Sequence, residues 1–233
     1  MQRGDAWAPV AARIARRWRA AFVDFTEPTL DASVRAVGSA CPGGAAVGYS
    51  MGGRIALHAA LRDPAAFRAL VLVGATPGIE DHDARRSRRA ADESLAAWME
   101  GERIDAVVDH WESQAVFGTQ NDELVAAQRV GRLSHDPRQL AAMLRATGQG
   151  TLEPVWDRLG KLTIPVLAVA GEDDDKYASI AARMARAMPN GRAALIAGAG
   201  HAAHLEQPEA FSELLADFLE EHLGQRRVGD RDA

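Results

Sequence analysis

Two stretches, ALVLVGA at 69–75 and IPVLAVAG at 164–171, carry no polar side chain and are no longer than a strand. A strand with one wet face alternates apolar and polar residues, so an uninterrupted apolar run of this length reads as a strand buried on both faces. Helices are what bury both faces of a parallel sheet. The chain is therefore expected to be an α/β protein with a mainly parallel sheet flanked by helices.

The rest of the chain fits that frame. WAPVAARIARRWR at 7–19 has helical spacing with arginines on the opposite face, and AAFVDF at 20–25 reads as a short strand. A helix through Leu30, Val34 and Val37 leads to the turn Cys41-Pro42-Gly43-Gly44, and AAVGY follows as a second strand ending at Ser50. Gly52 and Gly53 open a helix expected from Arg54 to Leu61, and RAALIAGAG at 192–200 is a weaker apolar run, making five expected strands. From 80 to 160 the pattern becomes helical only, with helices expected at 81–99, 106–117 and 137–147. This block reads as a helical cap of residues 80–160 inserted into a core of 1–79 and 161–233. PEAFSELLADFLEEHL at 208–223 is a closing amphipathic helix, and the polar tail QRRVGDRDA is expected to fray.

Composition narrows the function. With 27 Lys and Arg against 32 Asp and Glu, the formal charge is -5, which argues against nonspecific binding to nucleic acid or acidic membranes. Any anion site must be local. The single cysteine, Cys41, excludes an intramolecular disulfide and fits a reducing compartment, with the bacterial cytoplasm as the expected location. No apolar run has membrane-spanning length, and the N-terminus lacks a signal-peptide centre. The oligomeric state has no signature in the sequence.

Gly48-Tyr49-Ser50-Met51-Gly52 matches G-x-S-x-G between an apolar strand and a helix. In such a turn small neighbours let the chain bend sharply and project the serine hydroxyl above the sheet. GEDDDK at 171–176 and GAGHAAH at 198–204 each follow a later strand, giving the order Ser, Asp, His of α/β-hydrolases. Strand C-termini share one edge of a parallel sheet, so the three can converge. Spacing leaves Asp173, Asp174 and Asp175 open as the acid, and His204 competes with His201. Arg85, Arg86, Arg88, Arg89, Arg129 and Arg132 can form a carboxylate clamp or a solvated helix face, whereas Arg54 lies one turn after the serine. Trp111 fits core packing as well as substrate contact. No metal-ligand spacing and no G-x-G-x-x-G or P-loop occurs, so neither metal nor cofactor is expected.

Taken together, GYSMGGRIALHAA, PGIEDHDARRSRRAADE, DHWESQAVF, RLSHDPRQLAAMLRATGQG and GAGHAAHLEQPEAF resemble the 2-succinyl-6-hydroxy-2,4-cyclohexadiene-1-carboxylate synthases of menaquinone biosynthesis, within the α/β-hydrolase superfamily. The resemblance implies a lyase in which a His-activated serine removes a proton and pyruvate leaves without an acyl-enzyme. It implies Asp174 as triad acid and His201 as base. It also implies Met51 as an oxyanion N–H, Arg54, Arg88 and Arg132 as carboxylate ligands, and Tyr49 and Trp111 as substrate contacts for a small multi-carboxylate molecule. Members of that family carry strands and an HGF-type loop ahead of the segment that here reads GDAWAPV, so the first strands and one oxyanion donor are expected to be absent. A serine esterase, thioesterase or carbon-carbon hydrolase is the alternative enzyme, and a noncatalytic carboxylate-binding protein the alternative of another class.

Overall fold

The structure, a computed structural model, describes residues 2–224, and the tail 225–233 lies outside the described residues. Its centre is a four-stranded sheet in the order β1 (Gly44–Tyr49), β2 (Phe67–Val73), β3 (Val166–Gly171), β4 (Gly191–Ile196), with all three pairings parallel. Val47 lies opposite Val71, and Val71 opposite Leu167, so equivalent side chains are in register across the middle of the sheet.

The apolar runs divide by twos between two cores. Leu70, Leu72, Val166, Ala168 and Ala170 face one core with α2 (Leu30–Ala40), α3 (Met51–Arg62) and α8 (Asp175–Ala187). Ala69, Val71, Val73, Leu167 and Val169 face the other with α1 (Ala8–Ile14) and α10 (Pro208–Leu223), through Val10, Phe211, Leu215, Phe218 and Leu219. Burial on both faces is why these strands have no polar alternation. β4 has one neighbour and leaves Leu195 54% exposed, which accounts for its weaker apolar signal.

Two expectations near the N-terminus are corrected. AAFVDF at 20–25 forms no strand, so the described residues hold four strands rather than five. A strand exists through backbone hydrogen bonds to a neighbouring strand, and this segment makes none among the described residues. Its residues line one side of a cavity of about 530 Å³ whose other side is β1, with Phe22 47% exposed. The helix expected at 7–19 is a 3₁₀ turn at Gly4–Trp7 followed by α1, which stops at Ile14. Val10 and Ile14 pack against α10, whereas Arg16 and Arg19 are exposed and Arg17 reaches Glu220 of α10 from beyond the helix end, so no apolar packing rewards continuing the helix.

Between β2 and β3 the described chain is helical: α4 (His82–Gly101), α5 (Ile104–Glu112), α6 (Asp122–Leu133) and α7 (Pro137–Thr147). Ala96, Met99, Val107 and Ala141 form a small core separate from both faces of the sheet. The helix expected over 106–117 breaks after Glu112 into a 3₁₀ turn at Ala115–Phe117. There the Ser113 hydroxyl and the Gln114 amide donate to the His110 carbonyl, competing with the helix ladder. α6 was not legible from apolar periodicity, because Val130 is 77% exposed and the residue it buries is Arg132. Its start was legible: Asn121 accepts the Leu124 N–H, with Asp122 and Glu123 in the first turn. α9 (Ala203–Glu206) is a single turn before α10. No helix of the described residues is long and apolar enough to cross a membrane.

Candidate active site

The site begins where β1 runs into α3. Ser50 has φ 47° and ψ -108°, the one positive φ at a non-glycine residue among those described. Such a conformation costs of order 1–3 kcal/mol and persists when its surroundings enforce it. Here the Ser50 N–H donates to the Val73 carbonyl at 2.8 Å and its own carbonyl accepts the Arg54 N–H at 3.0 Å. The small-residue requirement falls on Gly48 and Gly53. A Cβ on Gly48 would lie 2.6 Å from the Gly52 carbonyl oxygen, and one on Gly53 would lie 2.7 Å from Ala75 Cβ. A Cβ on Gly52 would meet nothing, so the last glycine of the pentapeptide is not the one the turn needs.

Asp174 and His201 come from the loops after β3 and β4. Asp174 caps α8 by accepting the Tyr177 N–H at 3.2 Å on Oδ1, and its Oδ2 lies 2.8 Å from His201 Nδ1. Burial alone would raise this carboxyl, but the bonds from His201 and Tyr177 outweigh it and hold the pKa below the ordinary value. An ionised Asp174 accepts from Nδ1–H, which leaves the Nε2 lone pair facing Ser50 Oγ at 3.3 Å. The imidazole rests against Gly74, where a Cβ would come within 3.0 Å of Cε1, and the Tyr177 ring centroid is 4.5 Å away. The Ser50 hydroxyl, the His201 imidazole and the Asp174 carboxylate are thus connected in series, the arrangement a serine triad requires.

The competing histidine is placed elsewhere. His204 is fully buried, stacked on Trp7 at 4.2 Å and tilted against Tyr49 at 4.6 Å, with neither ring nitrogen hydrogen-bonded among the described residues. Burial, with the nearby His201, pushes its pKa down to about 3, so it stays neutral. Tyr49 also lies 5.3 Å from the His201 ring, and burial raises its phenol well above the ordinary value. Tyr49, Ser50, Met51 and Trp111 share the cavity of about 530 Å³. Met51 is the first residue of α3, where helix N–H groups lack intrahelical acceptors.

The arginines separate into three kinds, the first being Arg89, which is exposed and has no carboxylate within ion-pair distance among the described residues. Arg85, Arg86, Arg88, Arg129 and Arg132 each pair with a carboxylate of the protein: Glu153, Asp83, Asp92, Asp109 with Glu112, and Glu112 again. They do not gather as a bare cationic cluster over the serine. Arg132 is 2% exposed and is also held by Gln128 at 2.7 Å. Arg54 differs, being 7% exposed with no carboxylate within ion-pair distance among the described residues. It donates to the Thr147 carbonyl at 3.2 Å, its Nε has no partner, and burial lowers its pKa to about 10. Asp92, 4% exposed, binds Arg88 Nε at 2.7 Å and accepts the Gly150 N–H at 3.4 Å.

Sequence reasoning missed Tyr177, Thr147, Asp92 and Glu206 around this site. Tyr177 carried a usable signal, since the third residue after an Asp cap is where that cap's acceptor is satisfied. The others are brought in by tertiary packing alone. Among the described residues, no group of three or more His, Cys, Asp or Glu side chains could hold a metal ion.

The alpha/beta hydrolase fold family matches residues 14–208. A putative 2-succinyl-6-hydroxy-2,4-cyclohexadiene-1-carboxylate synthase of Bacillus subtilis (strain 168) is 34% identical over 176 residues, 74% of this chain and 64% of the relative. The enzyme of that name from Escherichia coli O1:K1 / APEC is 34% identical over 177 residues, 74% of this chain and 67% of the relative. The chain thus spans about two thirds of the length of these relatives. A structure of MenH from S. aureus superposes with TM-score 0.86 at 27% identity, covering 95% of this chain and 90% of the other. A thermophilic esterase from Thermogutta terrifontis, at 19% identity and TM-score 0.78, covers 95% of this chain and 87% of its own and shares the fold. The chain belongs to the alpha/beta hydrolase fold family, and its curated relatives there bear the name 2-succinyl-6-hydroxy-2,4-cyclohexadiene-1-carboxylate synthase.

Proposed function

We propose that this protein is a carbon–oxygen lyase of menaquinone biosynthesis that eliminates pyruvate from 2-succinyl-5-enolpyruvyl-6-hydroxy-3-cyclohexene-1-carboxylate. The observation that carries the reading is Arg54, a buried guanidinium one helical turn after Ser50 that lacks a carboxylate partner among the described residues. A buried charge without a counter-ion costs several kcal/mol, and a substrate carboxylate offsets that cost by accepting two parallel N–H bonds along one edge of the guanidinium. Arg88, oriented by Asp92, and Arg132, held by Glu112 and Gln128, are the further carboxylate ligands in this reading.

The steps follow from the triad geometry. His201 Nε2 takes the Ser50 hydroxyl proton, and Ser50 Oγ removes a proton from a ring carbon of the substrate. The C2–H electron pair becomes the C2=C3 double bond, the C3=C4 pair moves to C4=C5, the C5–O bond breaks, and the enolate of pyruvate leaves and is protonated at carbon. Asp174 holds the imidazole tautomer and stabilises the imidazolium, and the Met51 N–H at the start of α3 stabilises developing oxyanion charge. Tyr49 and Trp111, which share a cavity with Ser50 and Met51, are the substrate contacts in this reading, and residues 80–160 are its cap.

Pyruvate release, followed by coupled reduction with lactate dehydrogenase, tests the assignment. Wild type is expected to turn over, and Ser50→Ala to lose a factor of about 10² to 10⁴ in kcat. Arg54→Ala is expected to lose about 2 kcal/mol or more in kcat/KM. Failure of wild type to release pyruvate would remove the lyase reading. Burst acylation of Ser50 by an activated ester would then favour a serine hydrolase, and equal ligand binding by wild type and Ser50→Ala without turnover a noncatalytic binding protein.

A further inference from the structure

The residues before and after His201 in the chain, Gly200 and Ala202, both donate their backbone N–H groups to one carboxylate. Gly200 N lies 2.8 Å from Glu206 Oε2, and Ala202 N lies 2.9 Å from Glu206 Oε1. No backbone carbonyl accepts either N–H among the described residues. Glu206 closes the one-turn helix α9, which follows the His201 loop directly. The loop is pinned from its other end by Gln207, whose amide donates to the Gly198 carbonyl at 3.0 Å. Gly198 itself has φ 63°, so the backbone turns sharply just ahead of the histidine.

We propose that Glu206 is a positioning residue for His201, acting through the two backbone N–H groups that flank it. The inference rests on the triad reading, not on which substrate the triad serves. A charged acceptor bound to both neighbours of one residue restrains that residue's backbone from two sides, and charge-assisted bonds are about twice as strong as neutral ones. The side chain so held must keep Nδ1 on Asp174 and Nε2 on Ser50 at once. An error of about 1 Å in such a base costs on the order of a hundredfold in rate. A carboxylate that reaches back to N–H groups at the start of a helix also caps that helix, so loss of stability alone does not separate the two roles.

The experiment therefore compares Glu206→Ala and Glu206→Gln with wild type by the rate of Ser50 labelling with a fluorophosphonate and by the downfield proton resonance of His201 Nδ1–H, well below each variant's Tm. In Glu206→Ala labelling is expected to fall about 10- to 100-fold, with the resonance broadened or lost. Glu206→Gln, which keeps one acceptor oxygen, is expected to fall between the two, and it carries the test if the alanine variant does not fold. In pyruvate release the loss is expected in kcat with KM unchanged, because Glu206 holds the loop and not the substrate. Wild-type labelling rates and an intact resonance in both variants, with only Tm lowered, would reduce Glu206 to a helix cap and overturn the proposal. Absence of both labelling and resonance in wild type would overturn the triad reading along with it, whereas slowed labelling without pyruvate release in any protein would remove the lyase reading alone.

Discussion

Burial acts on Arg54 and His204 in the same direction with different results. Both pKa values fall, but Arg54, at about 10, remains charged at neutral pH, while His204, at about 3, is neutral. The first therefore keeps a charge that a carboxylate can neutralise, and the second behaves as an aromatic core residue between Trp7, Tyr49 and Phe211. A histidine whose folded pKa is depressed takes up fewer protons than the unfolded chain between its folded and unfolded pKa. Its contribution to stability is then intact above about pH 6.5 and lost progressively toward pH 3. At pH 5 the loss attributable to His204 is about 2 kcal/mol. His204→Phe is expected to shrink the fall in stability between pH 7.5 and pH 5 by about that amount, as measured by denaturant titration at the two pH values. Asp174 works with the same sign at lower pH: its pKa is also depressed, so its contribution is present at neutral pH and lost as pH falls below the ordinary carboxylate range.

At the scale of the element, the elbow shows what a short motif reveals and what it hides. The pentapeptide and its flanking strand and helix are visible in the sequence, as is the Ser, Asp, His order. The contacts that make the turn possible are not, because they lie between Gly48, Gly53 and Ala75. Gly48→Ala and Gly53→Ala are each expected to cost about 1–3 kcal/mol by overpacking, whereas Gly52→Ala, in open space at the start of α3, is expected to be neutral or slightly stabilising. Thermal unfolding of the three variants checks this. The same contrast holds in the helices. α7 matches its expected span of 137–147, since it has a cap, a proline at its start and buried Ala141 and Met143. α6 was missed because its buried side chain is an arginine, and residues 20–25 were misread because no neighbour supplies the hydrogen bonds a strand needs.

The helical block between β2 and β3 is tied together by Arg145 of α7, which bonds both Glu93 and Glu100 of α4. Its connection to the site runs through Thr147 of α7, whose carbonyl accepts from Arg54, while the buried Asp92 joins α4 to Gly150 and orients Arg88. Asp92→Ala leaves a half-exposed guanidinium and a buried N–H without their acceptor, so it is expected to raise KM for a carboxylate substrate and to destabilise by about 1–3 kcal/mol. Steady-state pyruvate release and thermal unfolding read the two effects separately.

At the scale of the whole molecule, the layered architecture followed from two apolar runs, because a strand without polar residues requires helices on both faces. The convergence of Ser50, Asp174 and His201 followed from the parallel topology that places all three strand ends on one edge. The choice among three neighbouring aspartates and between two histidines did not follow from spacing, since it is decided by a cap at the start of α8 and by an aromatic nest around His204. The arginines were legible as a local density of charge, but not their sorting into paired residues and the buried Arg54. The central claim is that this triad removes a proton without acylating its serine. Intact-mass spectrometry of protein quenched during turnover, with pyruvate quantified in the same samples, tests it most directly. The expected result is pyruvate accumulating while the protein mass stays unmodified. An acyl adduct on Ser50 formed in a burst at the rate of product release would contradict it.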